Sequence, residues 1–348
     1  MVYDGRPART PPILPTPPMK PRVLIGPAPL KEIEHVYGPT LTAAGFEMTF
    51  PRRNVQMTEA ELREQLPGCV GTLAGSEPYT RDVIAAAAAA GLKVIARAGV
   101  GYDGVDLDAA TDHGVAVSFA PGTNQNAVAE HTFMLMLALA KNLIPQHTLT
   151  RAGQWPRRAN LPLRGKTLGV VGLGRIGKAV ALLAKAFRMA VVAYEPYPDT
   201  AFAAAHGVTL LPFEEVLKQA DWVTLHIPMS PESRQCVNAR TLGLMKPTAF
   251  LVNTARGGVI NEADLYEALK NKRIAGAGLD VFDEEPPAGN PLLTLDNVVV
   301  TAHTAGVDLQ SRDDMARVAG EALAKLLTGE WPAEWVVNLQ VKDKFFAR

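Results

Sequence analysis

Gly172, Gly174 and Gly177 fall in the stretch LGVVGLGRIGKAVA with the spacing G-x-G-x-x-G, behind the apolar run Leu168 to Val171 and ahead of the helix-forming KAVALLAKAF. That order is the fingerprint of a dinucleotide site. The first glycine permits a tight turn, the second lets the backbone approach a pyrophosphate, and the third allows close helix–strand packing, with the anion resting on the helix N-terminus. Glu195 follows 23 positions after Gly172, in AVVAYEP. A carboxylate there accepts hydrogen bonds from the adenosine ribose hydroxyls and repels a 2′-phosphate. The next residues are Pro196, Tyr197 and Pro198, with no arginine to receive such a phosphate, so NAD is expected in preference to NADP. The two cysteines, Cys69 and Cys236, match no metal-ligand spacing and imply neither a metal site nor a disulfide framework. They read as small buried hydrophobes.

Elements on both sides of the fingerprint must position these groups. A chain of 348 residues exceeds one ordinary core and implies two domains. In its second half LGVVG (168–172), AVVAY (190–194), WVTLHI (222–227), AFLVN (249–253), GAGLDV (276–281) and NVVVT (297–301) are six candidate strands alternating with helical stretches. RVLIG, FEMTF, VGTLAG, KVIARAG and VAVSFA repeat the scheme in the first half. Alternation of this kind predicts parallel sheets covered on both faces. The expected fold is therefore α/β, with two open parallel-sheet domains. A flavodoxin-like substrate-binding domain over 22–120 and 307–348 is interrupted by an inserted Rossmann NAD-binding domain over 121–306. NQNAVAEHTFMLMLALAKNL reads as one long helix, RAGQWPRRANLPLRGKT as irregular, and the amphipathic DLQSRDDMARVAGEALAKLLTG as the helix that leads back to the first domain.

Residues 1–21 are crowded with prolines and are expected to be a disordered tail, with translation starting at Met19. They lack the charged-then-apolar layout of a secretion signal, which leads us to expect a cytoplasmic protein. The longest apolar stretch, TFMLMLALA at 132–140, is far short of the ~20 residues needed to span a bilayer. Charges balance at 35 acidic against 35 basic, which removes the basic excess that nucleic acid or an anionic membrane usually demands of a partner.

Long motifs beyond the fingerprint occur in order: RAGVGYDGVDLDAA, LHIPMSPES, LVNTARGGVINEADLYEAL, AGLDVFDEEPP and VVVTAHTAG. With GLGRIGKAVA they resemble the D-isomer-specific 2-hydroxyacid dehydrogenase family, which includes glyoxylate/hydroxypyruvate reductases and D-3-phosphoglycerate dehydrogenases. The resemblance implies that Arg256 binds the substrate carboxylate, that His303 is the acid/base, and that Glu285, immediately before the proline, pairs with it in preference to Glu284. The residue types suit these tasks. A guanidinium is a planar, permanently charged fork that matches a carboxylate, and histidine is the side chain best placed to exchange a proton with a developing alkoxide near neutrality.

The same resemblance places Val100 and Gly101 where backbone N–H groups meet the substrate carboxylate, with Arg97 adding charge. Arg175 and Ile176 would meet the pyrophosphate, and His226 and Pro228 would flank the adenosine. Thr254 and Ala255 would lie beside the nicotinamide, Asp280 would receive its carboxamide, and Gly306 would complete the cofactor set. Ala74 stands where phosphoglycerate dehydrogenases carry an arginine, which favours a small unphosphorylated 2-oxo or 2-hydroxy acid. Ala302 replaces the usual proline before the histidine. Glu285 argues against the formate dehydrogenases, which carry glutamine there. A homodimer is expected through the long apolar helix and the segment around Trp155. Corepressors that share the fold keep the Arg-Glu-His set, so a dinucleotide-sensing binding protein is the alternative in a different class, and D-3-phosphoglycerate dehydrogenase the alternative within the family.

Overall fold

The computed structural model describes residues 20–347, so the expected tail and the expected start at Met19 lie, apart from Lys20 and Pro21, outside the described residues. The chain divides into two compact units. One holds the residues up to Ala96, Gly104–Ser118 and Gly320 onward; the other holds Arg97–Asp103 and Phe119–Ala319.

In the first unit, β1 (Arg22–Ile25), β2 (Glu47–Thr49), β3 (Cys69–Ala74), β4 (Val94–Arg97) and β5 (Ala116–Ser118) form a sheet in the order β2-β1-β3-β4-β5. The strands that were expected are the strands observed, and the order is that of flavodoxin-like sheets. Both faces are covered, which is why β3, β4 and β5 are buried almost throughout instead of alternating. Ala74 ends β3 fully buried within this core. Its small side chain suits that place, since an arginine there would carry a charge into the apolar cluster to which Ala74 belongs. The absence of arginine at this position therefore says little about the substrate.

The second unit is built on seven strands where six were expected: β6 (Thr167–Val171), β7 (Ala190–Tyr194), β8 (Val208–Leu210), β9 (Trp222–Leu225), β10 (Phe250–Asn253), β11 (Gly276–Leu279) and β12 (Val298–Val300), in the order β12-β11-β10-β9-β6-β7-β8. The additional β8 has three residues, of which only Val208 is buried, and so carries almost no periodic signal. All registered pairs are parallel. The order in which strands are added reverses between β6 and β9, and ligands of such sheets bind beyond the strand ends at that switch point. Along β6 the side chains split by alternation. Leu168 and Val170 join the core beneath the helices Gln125–Ala140 and Arg175–Ala186, whereas Val171 joins the opposite core with Val216 and Leu217. Each such buried aliphatic side chain contributes about 1.5–3 kcal/mol.

The helix expected to run through NQNAVAEHTFMLMLALAKNL is broken. Gln125–Ala140 ends at Lys141, Asn142 takes a left-handed conformation (φ 49°), and a second helix, Leu143–Arg151, departs at 59°. The first helix is largely buried, whereas the second buries none of its residues. Among the described residues no single helix is long and apolar enough to cross a membrane. Arg97–Asp103, expected with the first domain, belongs to the second unit: the Ala120 N–H donates to the Gly99 carbonyl at 3.0 Å, and Asp103 is tied to Arg256.

Candidate active site

The glycine turn forms at the end of β6. Gly172 has φ 94°, a conformation L-residues rarely adopt, and a Cβ on it would stand 2.5 Å from the His226 carbonyl oxygen. Glycine is obligatory there. A Cβ on Gly177 would overlap the Gly172 carbonyl, whereas one on Gly174 would meet nothing within 4 Å. Gly174 is the N-cap of the helix Arg175–Ala186 and supplies no side-chain cap to its first-turn N–H groups. Exposed Arg175 and half-buried Ile176 open that helix. Glu195 closes the turn from the end of β7: its carboxylate accepts from the Leu173 N–H at 2.8 Å and the Tyr197 N–H at 3.2 Å.

His226 follows β9, and its N–H donates to the Val171 carbonyl at 2.7 Å. Both its ring nitrogens are shielded from solvent and lack a partner. Burial pushes its pKa down to about 3, so the ring stays neutral. Pro228 accepts from the Ser233 hydroxyl at 2.7 Å.

Asn253 at the end of β10 shapes the next turn, accepting from the Ala255 N–H at 3.0 Å and donating to the Arg256 carbonyl at 2.8 Å. Thr254 is buried against Thr132, their hydroxyls 3.2 Å apart. Arg256 donates through Nε to Asp103 Oδ2 at 2.7 Å and through Nη1 to the Ala255 carbonyl at 2.6 Å. Gly101 lies against this guanidinium, and its carbonyl accepts from Arg97 Nε at 2.9 Å. Among the described residues, no acceptor engages the N–H of Val100 or Gly101.

Asp280, beyond β11, is 1% exposed. Its carboxylate accepts from the Thr301 hydroxyl at 2.5 Å, the Thr304 N–H at 2.9 Å and the Ala305 N–H at 2.8 Å, and its carbonyl accepts from the His303 N–H at 2.8 Å. In the fold it clamps the turn that carries His303, which has φ 53°. Gly306 follows, packed on Asn124. His303 Nδ1 and Glu285 Oε2 are 2.7 Å apart, while the other Glu285 oxygen accepts from the Phe282 N–H at 3.0 Å. Burial pushes the Glu285 carboxyl up, but the bonds from His303 and Phe282 and the charges of His303 and Arg256 outweigh it and hold it below the usual carboxylate range. With Nδ1 engaged, Nε2 is the ring nitrogen left to exchange a proton.

Residues 133–305 match the model of the D-isomer specific 2-hydroxyacid dehydrogenase, NAD binding domain. A glyoxylate reductase of Korarchaeum cryptofilum is 35% identical over 331 residues, covering 93% of this chain and 97% of its own. The chain belongs to the D-isomer-specific 2-hydroxyacid dehydrogenase family. A D-3-phosphoglycerate dehydrogenase of Methanocaldococcus jannaschii is 46% identical over 288 residues, 81% of this chain, and the chain spans about half (54%) of that relative's length. The D-lactate dehydrogenase of Aquifex aeolicus, solved with NAD and lactic acid, superposes with a TM-score of 0.81 at 26% identity, covering 91% of this chain and 99% of that one.

The residues expected from the family's motifs lie in seven segments of one unit, and contacts join Gly101 to Arg256, Gly172 to His226, Leu173 to Glu195 and Glu285 to His303. Asp103, His131 and Asn253 were missed. Asp103 stands two places after Gly101, Asn253 ends the AFLVN strand, and His131, with Nε2 2.9 Å from the Thr301 hydroxyl, carries no signal beyond a polar residue in an apolar helix.

Proposed function

We propose that this member of the family interconverts a small unphosphorylated 2-oxo acid, of the glyoxylate or hydroxypyruvate type, and the D-2-hydroxy acid, using NAD. The observation that carries it is the Glu285–His303 pair at 2.7 Å, in the same unit as Arg256 and the glycine turn.

The residues at the turn fit a dinucleotide: open space above Gly174, an uncapped helix, a carboxylate at Glu195, and two orphaned nitrogens on His226. An unsatisfied buried polar group costs about 1–3 kcal/mol, which a ligand group in hydrogen-bonding reach would relieve. Gly172, Gly174, Arg175, Ile176 and Gly177 would hold the pyrophosphate, Glu195 the ribose, and His226 and Pro228 the adenosine side. Thr254, Ala255, Asp280 and Gly306 would border the nicotinamide. When bound, the dinucleotide supplies the hydride for reduction and takes it in oxidation.

The chain's own groups do the rest. Arg256 and the Val100 and Gly101 N–H groups hold the substrate carboxylate. In reduction His303 donates its Nε2 proton to the forming alkoxide, and in oxidation Nε2 accepts the hydroxyl proton. Glu285 fixes the ring through Nδ1 and stabilises its charge. Support for an unphosphorylated substrate is the glyoxylate reductase aligned along 97% of its length. The 46% identity to a D-3-phosphoglycerate dehydrogenase supports the second reading.

A panel of glyoxylate, hydroxypyruvate, pyruvate and 3-phosphohydroxypyruvate with NADH or NADPH, followed at the reduced-nicotinamide band, tests this. We expect turnover of about 1 s⁻¹ or more on an unphosphorylated acid with NADH. Preference for the phosphorylated acid would select the second reading, and NADH binding without turnover would select a sensor. We also propose a homodimer, because the helix Leu143–Arg151 buries none of its residues and Leu143, Ile144, Trp155 and Leu161 are exposed.

A further inference from the structure

Arg256 is held on two sides. Nε donates to Asp103 Oδ2 at 2.7 Å and Nη2 lies 2.7 Å from the same oxygen, while Nη1 donates to the Ala255 carbonyl at 2.6 Å. A guanidinium has five N–H groups in a rigid fork. The Nε/Nη2 edge is thus taken by Asp103 and the inner side of Nη1 by the backbone, which leaves the outer Nη1/Nη2 edge, two parallel N–H groups, for an incoming carboxylate. The side chains are only partly sheltered, Arg256 32% and Asp103 49% exposed, so the pair does little for stability. Its consequence is orientation. Room for it depends on Gly101, where a Cβ would overlap Nη2.

From this geometry we infer that Asp103 is a positioning residue: it fixes the rotation of the Arg256 guanidinium so that the outer edge of the fork meets the carboxylate of a 2-oxo acid. The inference rests on the proposal that Arg256 anchors the substrate. Without Asp103 the long side chain regains its rotamers, and the fork must be ordered anew for each encounter, at a cost in both binding and alignment.

The test compares Asp103→Ala, Asp103→Asn and Gly101→Ala with the wild-type chain, using glyoxylate and hydroxypyruvate with saturating NADH. For Asp103→Ala we expect kcat/KM to fall about 10- to 100-fold, the scale of a small misplacement of a catalytic group, with both KM and kcat affected. Asp103→Asn keeps an oxygen acceptor for Nε and should recover most of that loss. Gly101→Ala pushes the flexible end of Arg256 aside and should reproduce the defect with Asp103 intact. Thermal unfolding and NADH affinity, read by cofactor fluorescence, should stay at wild-type values in both Asp103 variants. An Asp103→Ala protein with kcat/KM within two-fold of wild type overturns the inference, as does one with lower KM at unchanged kcat, which would make Asp103 a competitor of the substrate. A defect that Asp103→Asn fails to relieve also overturns it. If Asp103→Ala does not fold, Gly101→Ala decides alone, and normal kinetics there overturn the inference. A wild-type chain inactive on every 2-oxo acid would refute the proposed reaction instead, a result distinct from all of these.

Discussion

Substituting alanine separately for Gly172 and Gly174 should produce opposite phenotypes, although the two glycines stand two residues apart in one motif. At Gly172 the new Cβ would stand 2.5 Å from the His226 carbonyl oxygen and 2.7 Å from its carbon. These are backbone atoms of a strand exit, so the turn must open by roughly 1 Å, an overpacking that costs about 1–3 kcal/mol. The φ of 94° adds about 1–2 kcal/mol for a residue with a Cβ. A total of about 2–5 kcal/mol corresponds to a fall in Tm on the order of 5–20 °C for a unit of this size. At Gly174 the Cβ would meet nothing within 4 Å and the backbone is extended, so Tm should hold within about 2 °C. The methyl group would instead fill the space a pyrophosphate needs, weakening NADH binding about 10- to 100-fold. Thermal unfolding and NADH fluorescence titration on both variants provide the assay. Wild-type NADH affinity in Gly174→Ala would refute the placement of the cofactor, and an unchanged Tm in Gly172→Ala would refute the steric reasoning.

His303→Gln should lower kcat about 10²- to 10⁴-fold, the range of positioned proton transfer, with NADH affinity unchanged in the same titration. The Glu285 carboxyl, held below the usual carboxylate range in the fold, contributes stability that is complete above about pH 4.3 and lost as pH falls through its depressed value. Glu285→Gln should accordingly flatten the acid limb of stability against pH, measured by urea unfolding between about pH 3 and 5. Glu195→Ala removes the carboxylate proposed to hold the ribose and should raise the NADPH-to-NADH ratio of kcat/KM by about tenfold or more, read in steady-state assays. Ile144→Asp places a charge on the exposed helix Leu143–Arg151 and should turn the proposed dimer into a monomer on sedimentation.

By itself the sequence determined whatever depends on near neighbours. The glycine turn, the strand before it and the helix after it are local, because φ > 0, hydrophobic run length and helix periodicity act within a dozen residues. The place of Glu195 just after its strand could be read for the same reason, as could the strands of both sheets except β8, whose three residues leave no period to detect. The motifs also named Arg256, Glu285 and His303 as participants.

Only the tertiary structure decided what those participants touch. Asp103 and Arg256 are 153 positions apart, and no spacing rule joins them; they meet because the Arg97–Asp103 segment folds with the second unit. Asp280 has three of its carboxylate contacts in residues 301–305, so its hold on the His303 turn exists only once β11 and β12 are in register. Ala74 looked like a missing arginine until its burial in the first core gave it a packing role. Contacts between distant segments are fixed by how strands align and helices cover them, and that is settled by the whole chain's packing.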